Sequence, residues 1–441
     1  MEPMANTGSF LFKNGRVLDP SRDFDGVADL LVLDGRIAEI GPRIELGSDL
    51  ASAVRSIDAG GKWIVPGLID MHVHLREPGE EYKETIATGT LSAVCGGFTA
   101  VACMPNTHPV NDCAAITQYI LEKAKEEGAC RVFPVAAIST GLQGKNLAEY
   151  GDLRDAGAVA VSDDGKPVMN AMLMRRALEY ARTFDLVVIG HCEDSDLSAG
   201  GLMNEGAVST RLGLRGIPAA AEEVMIARDI LLAKLTGGRF HVAHVSTEGS
   251  VELVRNAKAH GIKVTAETAP HYFTLTDDLI AGYDPVYKMN PPLRTARDVA
   301  AVKAGLADGT LDVVASDHAP HSVVEKDVEF EYALNGVIGL ESSLPLILKL
   351  VRDGVLSPLQ AIAKISCNPA AILGVPFGTL RTGAAADVTI IDPDADYIIN
   401  VNNFASKSRN CPFHGLEARG RAEMTVVGGR VAFSIFPDQG S

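Results

Sequence analysis

Two histidines one residue apart, His72 and His74, come straight after the apolar run Trp63 to Asp70. In an extended strand, side chains at i and i+2 share a face, so the two imidazoles converge on one point. Two nitrogens aimed at one point suit a first-row metal such as zinc. By itself such a pair is equally a hydrogen-bonded structural pair, so its weight comes from the rest of the chain. His191, His244, His271 and the group Asp317, His318 and His321 also close apolar runs, as do Asn106 and the pair Asp163-Asp164. Where thiolate is absent, zinc takes neutral imidazoles and carboxylates. Strand alternation lets only one of Asp163 and Asp164 face the same centre. Arg76 lies on the His72/His74 face and can grip a carboxylate through two parallel hydrogen bonds, the plain alternative being an ion pair with Glu77 or Glu80. Cys192 falls on the face opposite His191 and reads as a buried structural thiol.

Positioning these residues requires eight strands: Leu68–Leu75, Phe98–Pro105, Cys130–Ser139, Ala158–Asp164, Leu186–Asp194, Phe240–Ser246, Lys263–His271 and Leu311–Pro320. Most are followed by an amphipathic stretch, such as Asn170–Thr183 or Ala219–Leu235. Near-continuous apolar strands alternating with helices mean a parallel sheet in an α/β protein, either a (β/α)8 TIM-like barrel or an open doubly wound sheet. Because the polar residues gather at the C-terminal ends of so many strands, the barrel is favoured: closure makes those ends converge on one mouth. Both termini differ in style, with β runs and Asn14-Gly15 and Asp34-Gly35 turn signals at one end and Val388 to Val431 at the other. Neither end can bury a core alone. The expected organisation is therefore residues 1–65 and 371–441 as two parts of one small β-sandwich, with the barrel at 66–370 between them.

A chain of 441 residues with 46% hydrophobic content has ample core for this plan. Its 40 Lys+Arg against 56 Asp+Glu, a formal charge of -16, argues against nucleic acid or an anionic membrane as partner. No apolar run approaches the roughly 20 residues of a membrane helix, and the first residues lack a basic region followed by an apolar one, so a cytoplasmic location is expected. Seven scattered cysteines without a Cys-x-x-Cys pair fit reduced thiols.

The chain resembles the amidohydrolase superfamily, and within it the long, type I bacterial dihydroorotases. The resemblance is carried, in the family's order, by Asp70 to Gly79, Met104-Pro105-Asn106-Thr107, Ser162-Asp163-Asp164-Gly165, Gly190 to Asp194, His244-Val245-Ser246-Thr247, Met289 to Arg294 and Ser316 to His321. It implies His72, His74 and Asp317 as ligands of one zinc and His191 and His244 as ligands of a second. The two ions per subunit would be bridged by a hydroxide and a strand-four carboxylate, which alignment assigns to Asp164. Relatives with a carboxylated lysine there leave Lys166 as the alternative. Arg76, Asn106 and His321 would hold a substrate carboxylate, Asn290 the ring amide, and Asp317 would carry the proton as the catalytic residue. The implied reaction is reversible hydrolysis of L-dihydroorotate to N-carbamoyl-L-aspartate in pyrimidine biosynthesis. An allantoinase- or hydantoinase-type hydrolase is the nearest alternative, and a non-catalytic dihydroorotase-like subunit of aspartate transcarbamoylase another. A homodimer is expected, and association with aspartate transcarbamoylase is left open. Many family members have Phe-Gly where this chain has Asn335-Gly336. Two polar segments, Gln143–Asp152 and His321–Asn335, are candidates for mobile loops over the mouth.

Overall fold

A computed structural model describes residues 8–436 of the chain. At the N-terminal end, β1 (Phe10–Asp19) pairs antiparallel with β2 (Phe24–Leu33), which turns back into β3 (Arg36–Gly41). Asp34 and Gly35, both at positive φ, make that two-residue turn as expected. Asn14-Gly15 does not make a turn. It lies inside β1 as a bulge, with the register against β2 shifting between Phe12 and Gly15. Asn14 takes a left-handed φ of 61° while its N–H donates to Asp29 at 2.9 Å, and a Cβ at Gly15 would press on Ile64 at 2.5 Å. The Asn-Gly signal was therefore real as backbone chemistry but served a bulge. Next come β4 (Arg55–Asp58) and β5 (Trp63–Pro66), which pair parallel with successive parts of β1.

One residue separates β5 from the second sheet, a parallel set of eight strands. These are β6 (Leu68–Val73), β7 (Phe98–Cys103), β8 (Arg131–Ala136), β9 (Ala160–Ser162) and β10 (Val187–Gly190), then, beyond the short pair β11 (Met203–Asn204) and β12 (Gly216–Ile217), β13 (Phe240–Val242), β14 (Val264–Thr268) and β15 (Val313–Val314). Each pairs with the next, and the set closes on itself where Val73 bridges His318 and the His74 N–H donates to the His318 carbonyl at 2.8 Å. Asp70 reinforces the seam, its carboxylate accepting from the Ser316 N–H at 3.0 Å. The expected barrel is therefore present, and a doubly wound sheet is not. Helices such as Ala171–Thr183, Ala219–Thr236 and Glu248–Ala259 cover it, close to the expected spans.

All eight strands stop short of their expected C-terminal ends. In two of them the reason is local: His244 and Asp317, inside the expected spans, take left-handed φ values of 35° and 50°, which no strand accommodates, and Arg76 just past the first strand takes 62°. Apart from His72, which lies in β6, the polar residues thus stand on the loops that leave the strands, and the three left-handed ones are held in conformations that cost about 1–3 kcal/mol each.

Strands β16 (Val388–Ile398), β17 (Glu417–Val427) and β18 (Arg430–Ser434) complete the first sheet, β16 pairing antiparallel with β5. The terminal strands are hydrogen-bonded as one continuous mixed sheet of eight, whose core joins Phe12, Leu30 and Ile64 from one end of the chain to Val388, Ile390 and Met424 from the other. Arg131 clamps this sheet to the barrel through two hydrogen bonds to Asp387, at 2.7 and 3.0 Å. Among the described residues no helix is long and apolar enough to cross a membrane.

Candidate metal centre

Asp164 sits at the centre of the barrel mouth. Its carboxylate lies 3.4 Å from His72 Nε2, 3.5 Å from His74 Nε2, and 3.7 Å from both His191 Nδ1 and His244 Nε2. Asp317 approaches the first pair, at 3.7 Å from His72 Nε2 and 3.4 Å from His74 Nε2. Two donor groups result, His72-His74-Asp164 and Asp164-His191-His244, with Asp164 common to both, and within each the donor atoms lie within 4.8 Å of one another. Asp163 goes elsewhere: it accepts from the Ser139 N–H at 2.9 Å and from the Ser139 hydroxyl, and burial pushes its carboxyl up to about 6. Lys166 is exposed.

The outer nitrogens of three of these four rings are occupied, which turns their inner ones toward the centre; His244 Nδ1 is buried without a hydrogen-bond partner among the described residues. His72 Nδ1–H donates to Glu267 at 2.6 Å, His74 Nδ1–H to Asn106 Oδ1 at 2.9 Å, and His191 Nε2–H to Glu193 at 3.1 Å. Each donation fixes the tautomer, leaving a lone pair on the inward nitrogen. His191 Nδ1 and His244 Nε2 stand only 2.8 Å apart, a spacing that needs a cation or a proton between them. His72 Nε2 and Asp164 Oδ1 are fully buried without a hydrogen-bond partner. Burying such atoms bare is costly. Imidazole and carboxylate donors converging in this way fit a pair of metal ions. Burial would raise the Asp164 carboxyl, but His72, His191 and His244 outweigh it and hold the group well below the usual range, as an anion.

Glu267 was not singled out from the sequence. It lies in β14, its second oxygen 3.2 Å from His241 Nε2, so His241 is the far end of a buried His72-Glu267-His241 chain. A lone carboxylate inside an otherwise apolar strand was the available signal. We expect Glu267→Gln to lower metal affinity 10- to 100-fold, because the amide holds the His72 ring less firmly and polarises it less. Competition with a chelator of known affinity measures this, and unchanged affinity would reduce Glu267 to packing.

The remaining site residues form a rim. Arg76 is buried; its Nε–H donates to the Pro320 carbonyl at 3.1 Å, and among the described residues the nearest carboxylate to its guanidinium is Glu80 at 3.8 Å. Asn106 does more than expected, since its Oδ1 orients His74 and leaves the amide N–H groups for a ligand. Asn290 donates to Glu193 and keeps a buried, unpartnered Oδ1. His321 Nε2–H donates to the Asn335 carbonyl at 2.7 Å, a backbone contact that does not use the Asn335 side chain. Burial beside Arg76 pushes His321 down to about 3, and its Nδ1, 3.9 Å from Glu325, has no hydrogen-bond partner among the described residues. His271 is buried with Nε2 unpartnered, and burial pushes it down to about 4. Cys192 is packed in the core, its thiol pushed well up by burial.

Comparison with known proteins points to one family. The chain matches the family described as dihydro-orotase-like over residues 61–250 and the amidohydrolase family over residues 234–433. It is 65% identical to the dihydroorotase of Syntrophobacter fumaroxidans over 98% of each chain, and 57% identical to that of Geotalea daltonii over 96% of this chain and 99% of that one. Among solved structures it superposes on the L-hydantoinase (dihydropyrimidinase) of Arthrobacter aurescens with a TM-score of 0.87, at 28% identity over 97% of this chain and 96% of that one. A dihydropyrimidinase from Brevibacillus agri, at 23% identity and a TM-score of 0.83 over 97% and 95%, shares the fold.

Proposed function

We propose, on the premise that the chain belongs to the dihydroorotase family of amidohydrolases, that it hydrolyses the cyclic amide of L-dihydroorotate to N-carbamoyl-L-aspartate and catalyses the reverse ring closure. The observation that carries the substrate assignment is Arg76, a buried guanidinium at the rim of the metal centre whose ion pair with Glu80 is long, at 3.8 Å, and which among the described residues has no hydrogen-bonded carboxylate. Dihydroorotate brings one. Hydantoin and allantoin do not, which sets the hydantoinase-type alternative behind.

Two zinc ions are the proposed cofactors, held by His72, His74 and Asp317 on one side and His191 and His244 on the other, with Asp164 between. When bound, they would supply an activated water and polarise the amide carbonyl. The chain's own residues do the rest. Asp317, beside His72 and His74, is held below the usual carboxylate range by those rings despite its burial, so it is ready to accept a proton and return it to the leaving nitrogen. Arg76 and the Asn106 amide fix the substrate carboxylate, Asn290 offers its free Oδ1 to a ring N–H, and His321 offers Nδ1. The same reading divides the chain at about residues 65 and 370, places it in the cytoplasm in pyrimidine biosynthesis and takes the homodimer as its assembly. Filled donor positions throughout the centre favour an enzyme over a scaffold subunit for aspartate transcarbamoylase.

The test is a side-by-side assay of the zinc-loaded protein on dihydroorotate, hydantoin and allantoin. Activity confined to dihydroorotate, abolished by chelation and restored by zinc, is the expected result. Preference for hydantoin, or full activity after rigorous metal removal, would sink the assignment.

A further inference from the structure

The segment between β16 and β17 belongs to the terminal sheet, yet it crosses to the barrel and buckles onto the mouth. Ala405 and Ser406 N–H donate to Glu341 at 2.9 and 3.2 Å, and the Ser408 hydroxyl donates to the Lys83 carbonyl at 2.9 Å. Asn410 reaches furthest. Its side-chain amide N–H groups donate to the Ala319 and Gly336 carbonyls, both at 3.0 Å, and its Oδ1 accepts from the His321 N–H at 3.3 Å. Its own carbonyl accepts from the Ile338 N–H at 3.0 Å. Three of these four bonds clamp the backbone on both sides of one rim contact and on one side of another. Between Ala319 and His321 lies Pro320, whose carbonyl holds Arg76; before Gly336 lies Asn335, whose carbonyl holds His321. Asn410 is buried, so no water stands ready to replace the amide if it is removed.

We propose that Asn410 is a positioning residue for the substrate-carboxylate side of the site, one amide from the terminal sheet that sets Arg76 and His321 at once. The inference rests on the reading of Arg76 and His321 as carboxylate-side contacts. It also gives the terminal sheet a part in substrate selection, with the barrel supplying the metal centre. Because Asn410 touches neither the metal donors nor the reacting amide, its loss displaces the carboxylate grip and leaves the chemical step in place. Misplacement of a binding group by a fraction of an ångström shows first in KM.

The experiment is steady-state kinetics with L-dihydroorotate on zinc-loaded Asn410→Ala, Asn410→Asp, Ser408→Ala and Arg76→Ala, with metal content and melting temperature measured on each. Asn410→Ala is expected to raise KM about tenfold with kcat within about threefold of the parent and metal content unchanged. Asn410→Asp, isosteric but unable to donate, raises KM at least as far, and serves alone if the alanine variant does not fold. Ser408→Ala removes a strap hydrogen bond of the same kind away from His321 and leaves KM within about twofold. Unchanged KM in both Asn410 variants while Arg76→Ala raises it overturns the inference alone. So does a KM rise in Ser408→Ala equal to that in Asn410→Ala, since the strap would then be merely structural. Unchanged KM in Arg76→Ala overturns the underlying carboxylate reading.

Discussion

Asp164→Ala is expected to lose metal and activity together. Its carboxylate is the one group common to both donor sets, within 3.4 to 3.7 Å of four imidazole nitrogens, and Asp317 reaches only His72 and His74. Two dications a few ångströms apart repel strongly even at an effective dielectric constant of about 20, and an anion between them is what offsets that. Without it, elemental analysis is expected to find at most one metal per chain. Activity is expected to fall on the order of a thousandfold, the equivalent of several kcal/mol of lost transition-state stabilisation. The neighbouring carboxylate is the control. Asp163→Ala removes the partner of the Ser139 N–H and hydroxyl and so acts on loop stability, lowering the melting temperature while both metals stay. Lys166→Ala, at an exposed position, is expected to change neither. Retention of two metals and most activity in Asp164→Ala would remove the aspartate bridge; activity that needs bicarbonate and vanishes in Lys166→Ala would put a carboxylated lysine in its place.

The contrast between Asp163 and Asp164 shows how far a sequence can be read. Alternation said that one of the two must face the axis, because a period of two leaves no third choice. It could not say which, since β9 ends at Ser162 and both aspartates lie on the loop beyond, where the backbone is no longer that of a strand. The eight strands were legible because continuous apolar runs bounded by polar residues are what a barrel demands, and their N-terminal ends are closely placed. Their C-terminal ends were not, since left-handed residues such as His244 and Asp317 carry no signal in their own identity. Glu267 and Asn410 were missed for a related reason. Each acts through a residue remote in the chain, Glu267 on His72 and Asn410 on Ala319 and Gly336, and no local period encodes a partner 195 or 91 residues away. Asn14-Gly15 failed in the opposite way: the dipeptide marked a positive φ correctly, but only the pairing partner decides whether that residue serves a turn or a bulge.

Arg76→Ala is expected to have the largest effect of any single change on substrate affinity. Burial lowers the guanidinium's preference for charge, and Glu80 at 3.8 Å, with Asp317, Asp164 and Glu325 as weaker support, offsets part of this, so it stays charged while lacking a hydrogen-bonded counterion among the described residues. An arriving carboxylate supplies that counterion with two parallel charge-assisted hydrogen bonds, in a place where water competes weakly. Truncation leaves the substrate's charge buried and unpaired beside other carboxylates, and the expected loss is about 2–5 kcal/mol of binding, or roughly 30- to several-thousand-fold in dissociation constant. Arg76→Lys is expected to recover little of it, because an ammonium cannot reproduce the planar fork and its stem cannot also donate to the Pro320 carbonyl in the same geometry. Metal content is expected to stay normal in both, since Arg76 lies outside either donor set. Calorimetry with dihydroorotate, and with its analogue lacking the carboxylate, separates the possibilities. If Arg76 grips the carboxylate, the variant binds the two ligands alike, while the parent prefers the charged one by the amount lost on truncation. If the variant keeps the parent's preference, discrimination comes from elsewhere on the rim, and Arg76 is a packing residue that closes the loop onto Pro320.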